Sequence, residues 1–195
     1  MDIYIELFLV VLIANILPAF APPTWLILSR YQIKDNLDVW QVILIGVIAA
    51  ALGRLIMYYY SSYFMKFLPE HKKQQLHHLR MKLMKNKKAM LLFMFIYSLG
   101  PLPSNIIFIL AGVSSLPILP IITGFVLGRL ISYGFGVITL GKITSMLEEN
   151  NIHVVQYLDL LAFLITIGLL FIDWHKHLRI GKHENRNYRR HTSRK

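Results

Sequence analysis

The sequence predicts an all-α integral membrane protein. The expected architecture is an inverted repeat of a re-entrant helical hairpin plus a transmembrane helix, followed by an additional C-terminal transmembrane helix. Of the 195 residues, 55% are apolar and only 16% are charged, which is unlike an ordinary soluble domain. The apolar residues fall in five long zones. Two of these zones contain nearly the same heptapeptide, LGRLIMY from Leu52 and LGRLISY from Leu127.

The first zone, residues 1–30, predicts a hairpin rather than a single span. Its middle is interrupted by three prolines, Pro18, Pro22 and Pro23. The roughly 15 residues before the break would form a helix of only about 22 Å, which is too short for a hydrocarbon core of about 30 Å. The second zone, residues 40–65, has no such break and predicts a transmembrane helix.

Residues 66–88 form a basic segment with eight lysines and arginines. The positive-inside rule predicts that this segment is cytoplasmic. Leu76, Leu79 and Leu83 recur at helical spacing among the basic residues. This pattern favours an amphipathic helix on an anionic membrane surface, with a solvated connector as the alternative.

The third zone, residues 89–116, is broken at Gly100, Pro101 and Pro103 and predicts a second hairpin. Residues 117–141 and 154–174 each predict one span, and the tail at 176–195 carries eight more basic residues. The tail is therefore expected on the cytoplasmic side, like residues 66–88. The two spans at 117–141 and 154–174 lie between these basic regions, and together they return the chain to the side from which it started. The third zone must therefore cross the membrane either twice or not at all. A single kinked crossing is the alternative, and it would place the basic tail outside.

The repeated heptapeptide indicates how the first zone is arranged. A broken zone followed by a helix with LGRLI occurs twice, and the charge distribution makes the two spanning helices run in opposite directions. Two like units in opposite orientation form an inverted repeat, whose hairpins would enter from opposite sides and meet near the midplane. Chance similarity between apolar sequences is the alternative.

Arg54 and Arg129 lie near the centres of the two spanning helices that carry the heptapeptide. A central arginine costs at least about 2.5–3.5 kcal/mol on insertion scales, so each needs a partner or water. Two arginines and two half-helix N-termini at the hairpin tips would suit an anion. In the alternative interpretation, each arginine binds backbone carbonyls exposed at a hairpin break and braces the fold.

Polar side chains near the predicted hairpin tips could complete a substrate site. We expect substrate contacts from Arg54 and Arg129 together with Asn15, Thr24, Ser98, Ser104 and Asn105. Ser104 also fits the cap of a half-helix. Capping and turn formation is the alternative role for all five uncharged residues.

The remaining composition narrows the function classes. The net charge of +11 is concentrated in two basic regions, which indicates topology rather than nucleic-acid binding. The chain has no cysteine, and no catalytic, nucleotide-binding or metal-binding motif is present. We therefore expect no enzyme activity, no cofactor, no metal site and no nucleic-acid partner.

The stretch Phe95–Gly141 resembles the DedA / VTT-domain superfamily, also called SNARE-associated Golgi proteins. The resemblance rests on a Pro-containing hairpin, the pair Ala111–Gly112, and a helix with Gly124 and Gly128. It extends more loosely over residues 10–142. The resemblance implies two opposed re-entrant hairpins and a role in moving lipids across membranes. Members of this family are implicated in undecaprenyl phosphate recycling in bacteria and in phospholipid scrambling in eukaryotes.

The chain also departs from the family pattern. Thr24 stands where bacterial members carry an acidic residue after the first hairpin, and Arg54 stands where many have an acid. Ser98 and Ser104 lie where the family has arginines. The proton-coupling mechanism proposed for some members therefore does not transfer to this chain.

These patterns predict a membrane transporter that moves an anionic lipid, either a polyprenyl phosphate or a phospholipid, as a flippase or scramblase. The expected partners are membrane lipids, with an anionic phosphate headgroup as substrate and a second copy of the chain as an optional partner. The expected location is a prokaryotic plasma membrane. The alternatives are a proton- or ion-coupled exporter of small molecules or drugs, and a membrane scaffold that transports nothing.

Overall fold

A computed structural model describes residues 2–17, 22–64, 86–100 and 104–148, together with single positions at 80, 81, 84, 160 and 164. Six helices occupy these ranges, which contain no β-strand, so the all-α prediction is confirmed for them. The helices are α1 (Ile3–Ile16), α2 (Thr24–Lys34), α3 (Val39–Phe64), α4 (Lys87–Leu99), α5 (Asn105–Val113) and α6 (Ile118–Glu148).

Several predictions concern residues outside the described ranges. These are the breaks at Pro18, Pro101 and Pro103, most of the amphipathic segment 66–88, nearly all of the span 154–174, and the tail 176–195.

Both short helices that precede a break end in the same way. The backbone turns extended at Leu17 after α1 (φ −66°, ψ 131°) and at Gly100 after α4 (φ −80°, ψ 168°). A proline follows each of these residues, and the residue before a proline is disfavoured from helical geometry. Helix α2 begins at Thr24, with Pro23 at its N-cap, rather than at the predicted Pro22. The same rule explains this later start. Pro22 comes directly before a proline, so its backbone is extended and it cannot belong to the helix.

Helices α1 and α2 form an antiparallel pair. At the open end, the Tyr31 hydroxyl donates to Glu6 Oε1 over 2.7 Å. At the closed end, Asn15 Nδ2 donates to Thr24 Oγ1 over 3.2 Å, across the break. The chain therefore returns at Lys34 to the level at which α1 starts.

The two long helices, α3 and α6, run in opposite directions. Near the end of α3, the Tyr58 hydroxyl donates over 2.7 Å to the carbonyl of Leu116, just before α6 begins. At the other end, Val39 at the start of α3 lines a cavity together with Val137 and Lys142 from the C-terminal part of α6.

Helix α3 differs from the predicted span 40–65 by one residue at each end, whereas α6 is longer than predicted. It continues seven residues beyond the expected end at Gly141, to Glu148. The residues that follow Gly141 include helix formers such as Lys142 and Met146, and no proline interrupts them.

Each short helix packs against a particular long one. Helix α1 lies on α3 and α4 lies on α6, whereas α2 packs mainly on α6 and α5 packs on α3. The second short helix of each pair thus contacts the long helix of the other half of the chain. This exchange ties the two halves together.

The glycines of the two LGRLI segments allow equivalent close contacts. A Cβ atom on Gly53 would lie 2.8 Å from the Asn15 Cβ and 3.0 Å from the Leu12 carbonyl oxygen of α1. A Cβ atom on Gly128 would lie 2.7 Å from both the Ser98 Cβ and the Phe95 carbonyl oxygen of α4. Only glycine lets the paired backbones approach this closely.

The described surface is apolar and several buried side chains are polar. Helices α3 and α6 are long and apolar enough to cross a membrane, over Val39–Tyr63 and Ile118–Met146. Only 44% and 39% of their most apolar windows are buried, although a core helix of a soluble protein is mostly buried. Conversely, Asn15, Arg54 and Ser98 are buried.

The close contact at Gly128 predicts a difference between two glycines of α6. Gly128→Ala should lower the free energy of unfolding by about 1–3 kcal/mol, because the new methyl group forces α4 away. Gly134→Ala should raise it by up to about 1 kcal/mol through helix propensity, since the nearest atom is the Ile43 Cδ1 at 4.0 Å. Melting temperatures of the two variants in the same detergent check this prediction. Equal shifts would contradict the packing.

Candidate anion site at the helix breaks

Arg54 holds the end of α1 against α3. The side chain is 7% exposed, and its Nη1 donates over 3.0 Å to the carbonyl oxygen of Asn15, with the Met57 sulfur 3.8 Å away. The last four carbonyls of a helix have no partner within the helix. A cation is also favoured there by the helix dipole. This contact is the brace that the sequence offers as the alternative role of Arg54.

Asn15 links the brace to the start of α2. Its Nδ2 donates to the Val11 carbonyl over 2.9 Å and to Thr24 Oγ1 over 3.2 Å. Hydrogen bonds therefore join Asn15, Thr24 and Arg54, three of the predicted site residues, into one group. We call these three residues the break cluster.

Arg129 occupies the equivalent heptapeptide position on α6 but has different surroundings. It is half-buried, and its guanidinium carbon lies 5.5 Å from the ring centre of Phe125 and 5.6 Å from that of Tyr133. These distances are typical of cation–π contacts, which stabilise a cation without neutralising its charge.

The two arginines lie close enough to influence each other. Among the described residues, the positive charge of Arg129 lies near enough to Arg54 to repel it, and it also acts on Tyr97. Two like charges within one apolar interior repel each other. A bound anion between them would remove this repulsion.

Buried polar atoms without partners lie beside both breaks. Within the described ranges, Ser98 Oγ, Ser104 Oγ and Arg54 Nε are buried and have no hydrogen-bond partner. Ser104 occupies the N-cap position of α5, but its side chain makes no capping hydrogen bond. The cap predicted there is therefore present in position only. A buried unsatisfied polar group costs about 1–3 kcal/mol, so each of these atoms favours a ligand oxygen or nitrogen.

The other predicted residues lie on the elements expected for them. Asn105 is the half-buried first residue of α5, beside Ser104, and Ser98 lies in the last turn of α4, against Gly128. Pro22 and Pro23 precede α2, and Gly100 ends α4.

The aromatic partners of Arg129 were not predicted from the sequence. Phe125 and Tyr133 lie four residues before and four residues after it, which places all three on one face of α6. In α3 the same spacing gives Ala50 and Tyr58 around Arg54. The missing aromatic side chain at position 50 was therefore a readable signal that the two arginines differ.

The described ranges contain no cluster of three or more histidine, cysteine or acidic side chains that could hold a metal ion. The fold and the site define a helical protein with two helices long and apolar enough to cross a membrane, one buried arginine and one half-buried arginine. No protein-family model, curated protein or solved structure matches the chain. The resemblance of Phe95–Gly141 to a known family accordingly stays a prediction.

The unpartnered serines and the bonded asparagine should respond differently to alanine substitution. Ser98→Ala and Ser104→Ala should leave the melting temperature unchanged or raise it, because each removes a buried hydroxyl with no partner. Asn15→Ala should lower the free energy of unfolding by about 1 kcal/mol or more, because Thr24 loses its hydrogen bond across the break. Thermal unfolding of the purified protein without added lipid checks this order. A serine variant less stable than Asn15→Ala would contradict it.

Proposed function

We propose that this protein is a membrane transporter that moves an anionic lipid, a polyprenyl phosphate or a phospholipid, across the bilayer as a flippase or scramblase. The observation that carries the proposal is the pair of arginines. Arg54 is buried, Arg129 is half-buried, and their two positive charges lie close enough to repel each other. A phosphate headgroup would bring a negative charge that offsets this repulsion.

The distribution of apolar surface supports a membrane location. The exposed side chains of α3 include Leu44, Ile48, Leu52 and Ile56, which repeat at four-residue intervals along one face. Such a face suits contact with lipid, because exposing a continuous apolar stripe to water is unfavourable. The buried polar residues lie on the inside, as expected where lipid surrounds the protein.

The helix contacts also support re-entrant hairpins and an inverted repeat. The α1–α2 pair opens at the Val39 end of α3, and α5 returns to the opposite end, where Gly112 abuts the Tyr58 carbonyl. Both breaks would then lie between the ends of the long helices. Backbone that is not helical is tolerated at membrane depth where protein covers it or where it lines a cavity.

The break cluster and its neighbours suit a phosphate chemically. Arg54 uses Nη1 to hold the Asn15 carbonyl, which leaves Nε for a ligand. The Ser98 and Ser104 hydroxyls can each donate to a phosphate oxygen. The headgroup would then exchange hydration for these donors while its acyl or prenyl chain stays in the bilayer. Arg54 would therefore both brace α1 and bind the headgroup.

The proposed setting agrees with the resemblance to the DedA / VTT-domain superfamily. We place the protein in a prokaryotic plasma membrane with its basic segments, residues 66–88 and 176–195, on the cytoplasmic side. The acidic residues that the resemblance would require for proton coupling are replaced by Thr24 and Arg54. The proposal therefore includes no proton-coupled step.

Translocation of a fluorescently labelled polyprenyl phosphate or phospholipid by reconstituted proteoliposomes tests the proposal. Arg129→Gln and Arg54→Gln should each reduce the rate by about tenfold or more, the usual cost of one charge-assisted hydrogen bond. Ser98→Ala should reduce it by less, because it removes a neutral donor.

Lys88→Gln is the matched control. It removes one positive charge from an exposed position at the start of α4 and should leave the rate unchanged. The amount of folded protein in each preparation is measured in parallel, because Arg54 also braces α1. Rates per folded molecule equal to those of the unsubstituted protein in both arginine variants would refute the proposed site.

A further inference from the structure

We propose that the cavity between the ends of α2 and α6 binds a phosphomonoester group, at a site separate from the break cluster. This cavity has a volume of about 360 Å³ and lies where α3 begins, at Val39. Its polar lining residues are Gln32, Asn36, Lys142, Thr144 and Ser145.

Thr144 belongs to the lining of this cavity and carries a buried hydroxyl. The residue is 2% exposed, and its Oγ1 has no hydrogen-bond partner within the described ranges. A hydroxyl on a helix usually bonds back to a carbonyl one turn earlier, as Ser29 does to the Trp25 carbonyl over 2.8 Å. The neighbouring Ser145 bonds to the Lys142 carbonyl over 2.9 Å. Thr144 thus retains a donor for a ligand.

Gln32, on the facing helix α2, also belongs to the lining and carries a second unsatisfied group. Its buried Oε1 has no partner within the described ranges. A half-turn of the amide exchanges its oxygen and nitrogen, so the same position can present a donor. A Cβ atom on Gly141 would lie 3.2 Å from this Oε1. The glycine therefore keeps the space beside the amide open.

The charge of the lining selects an anion. Lys142 is the one charged residue among the described residues of the lining, and it is exposed. Asp35 and Asp38 belong to the nearby turn and do not line the cavity. An ammonium group, a hydroxyl and a carboxamide together offer three donors to the several oxygens of one phosphate.

The position of the cavity allows two sources for this group. Val39 and Met146 are the terminal residues of the two candidate membrane spans, so the cavity would lie at the level of lipid headgroups. A phosphomonoester lipid and inorganic phosphate share the chemistry that the lining recognises. The lipid source rests on the proposed membrane function, whereas binding of inorganic phosphate does not.

The experiment measures binding to the purified full chain in a non-ionic detergent by microscale thermophoresis. The probes are inorganic phosphate, with sodium chloride at equal ionic strength as the control, and a short-chain phosphatidic acid, with the matching diacylglycerol as the control. We expect Thr144→Val and Lys142→Gln each to weaken binding by about tenfold or more, the usual cost of one charge-assisted hydrogen bond.

Lys34→Gln is the matched variant, because Lys34 is exposed at the same end of α2 but does not line the cavity. It should bind both probes like the unsubstituted protein. Thr144→Val should remain folded, since it replaces an unpartnered buried hydroxyl with a methyl group of similar size. A melting temperature at or above that of the unsubstituted protein would verify this.

The outcomes separate the cavity from the break cluster. Binding of either probe that is lost in Thr144→Val supports the proposal, and binding of phosphatidic acid alone identifies a lipid headgroup as the source. The proposal is overturned if neither probe binds, or if Thr144→Val binds as tightly as the unsubstituted protein. Failure of the proposed function would instead appear as unchanged translocation by the arginine variants of the break cluster.

Discussion

The hydrogen bond from Arg54 to the Asn15 carbonyl is the contact on which the rest of the structure depends. A helix that ends inside an apolar bundle leaves carbonyl groups without partners, and water cannot easily reach them. Arg54 supplies a donor at this point. Gly53, the residue before it, lets α1 approach closely enough for the bond to form. Adjacent residues of LGRLI therefore serve one purpose, since the glycine permits the approach and the arginine stabilises the end of α1.

In the second heptapeptide, the glycine again allows close helix packing, but the arginine has different neighbours. Gly128 contacts α4 much as Gly53 contacts α1. Arg129, however, lies beside the rings of Phe125 and Tyr133. A ring face stabilises a cation without supplying a negative charge. The two copies of the repeat are therefore similar in their backbone contacts but differ in the electrostatic surroundings of their arginines.

Unsatisfied polar groups connect the two proposed sites. Within the described ranges they include Ser98, Ser104 and Arg54 beside the helix breaks, and Gln32 and Thr144 near the C-terminal ends of α2 and α6. Leaving such groups buried lowers stability, and a ligand that bonds to them restores it. The two proposed sites therefore share one chemistry, in which the fold provides donors and an oxyanion provides acceptors. One site lies between the long helices and the other lies at their ends.

The sequence by itself determined the helical class, the bounds of α3 to within one residue, and the breaks after Leu17 and Gly100. Apolar runs and prolines act locally, so they can be read without knowledge of the fold. The end of α6 was placed too early, at Gly141, because the apolar zone ends there, whereas the helix continues through more polar residues to Glu148. Only the tertiary structure decided that Arg54 binds a carbonyl while Arg129 lies beside aromatic rings. It also decided that Gln32 and Thr144, more than one hundred residues apart, line the same cavity. Such contacts depend on which helix faces which, and local patterns of hydrophobicity do not encode that choice.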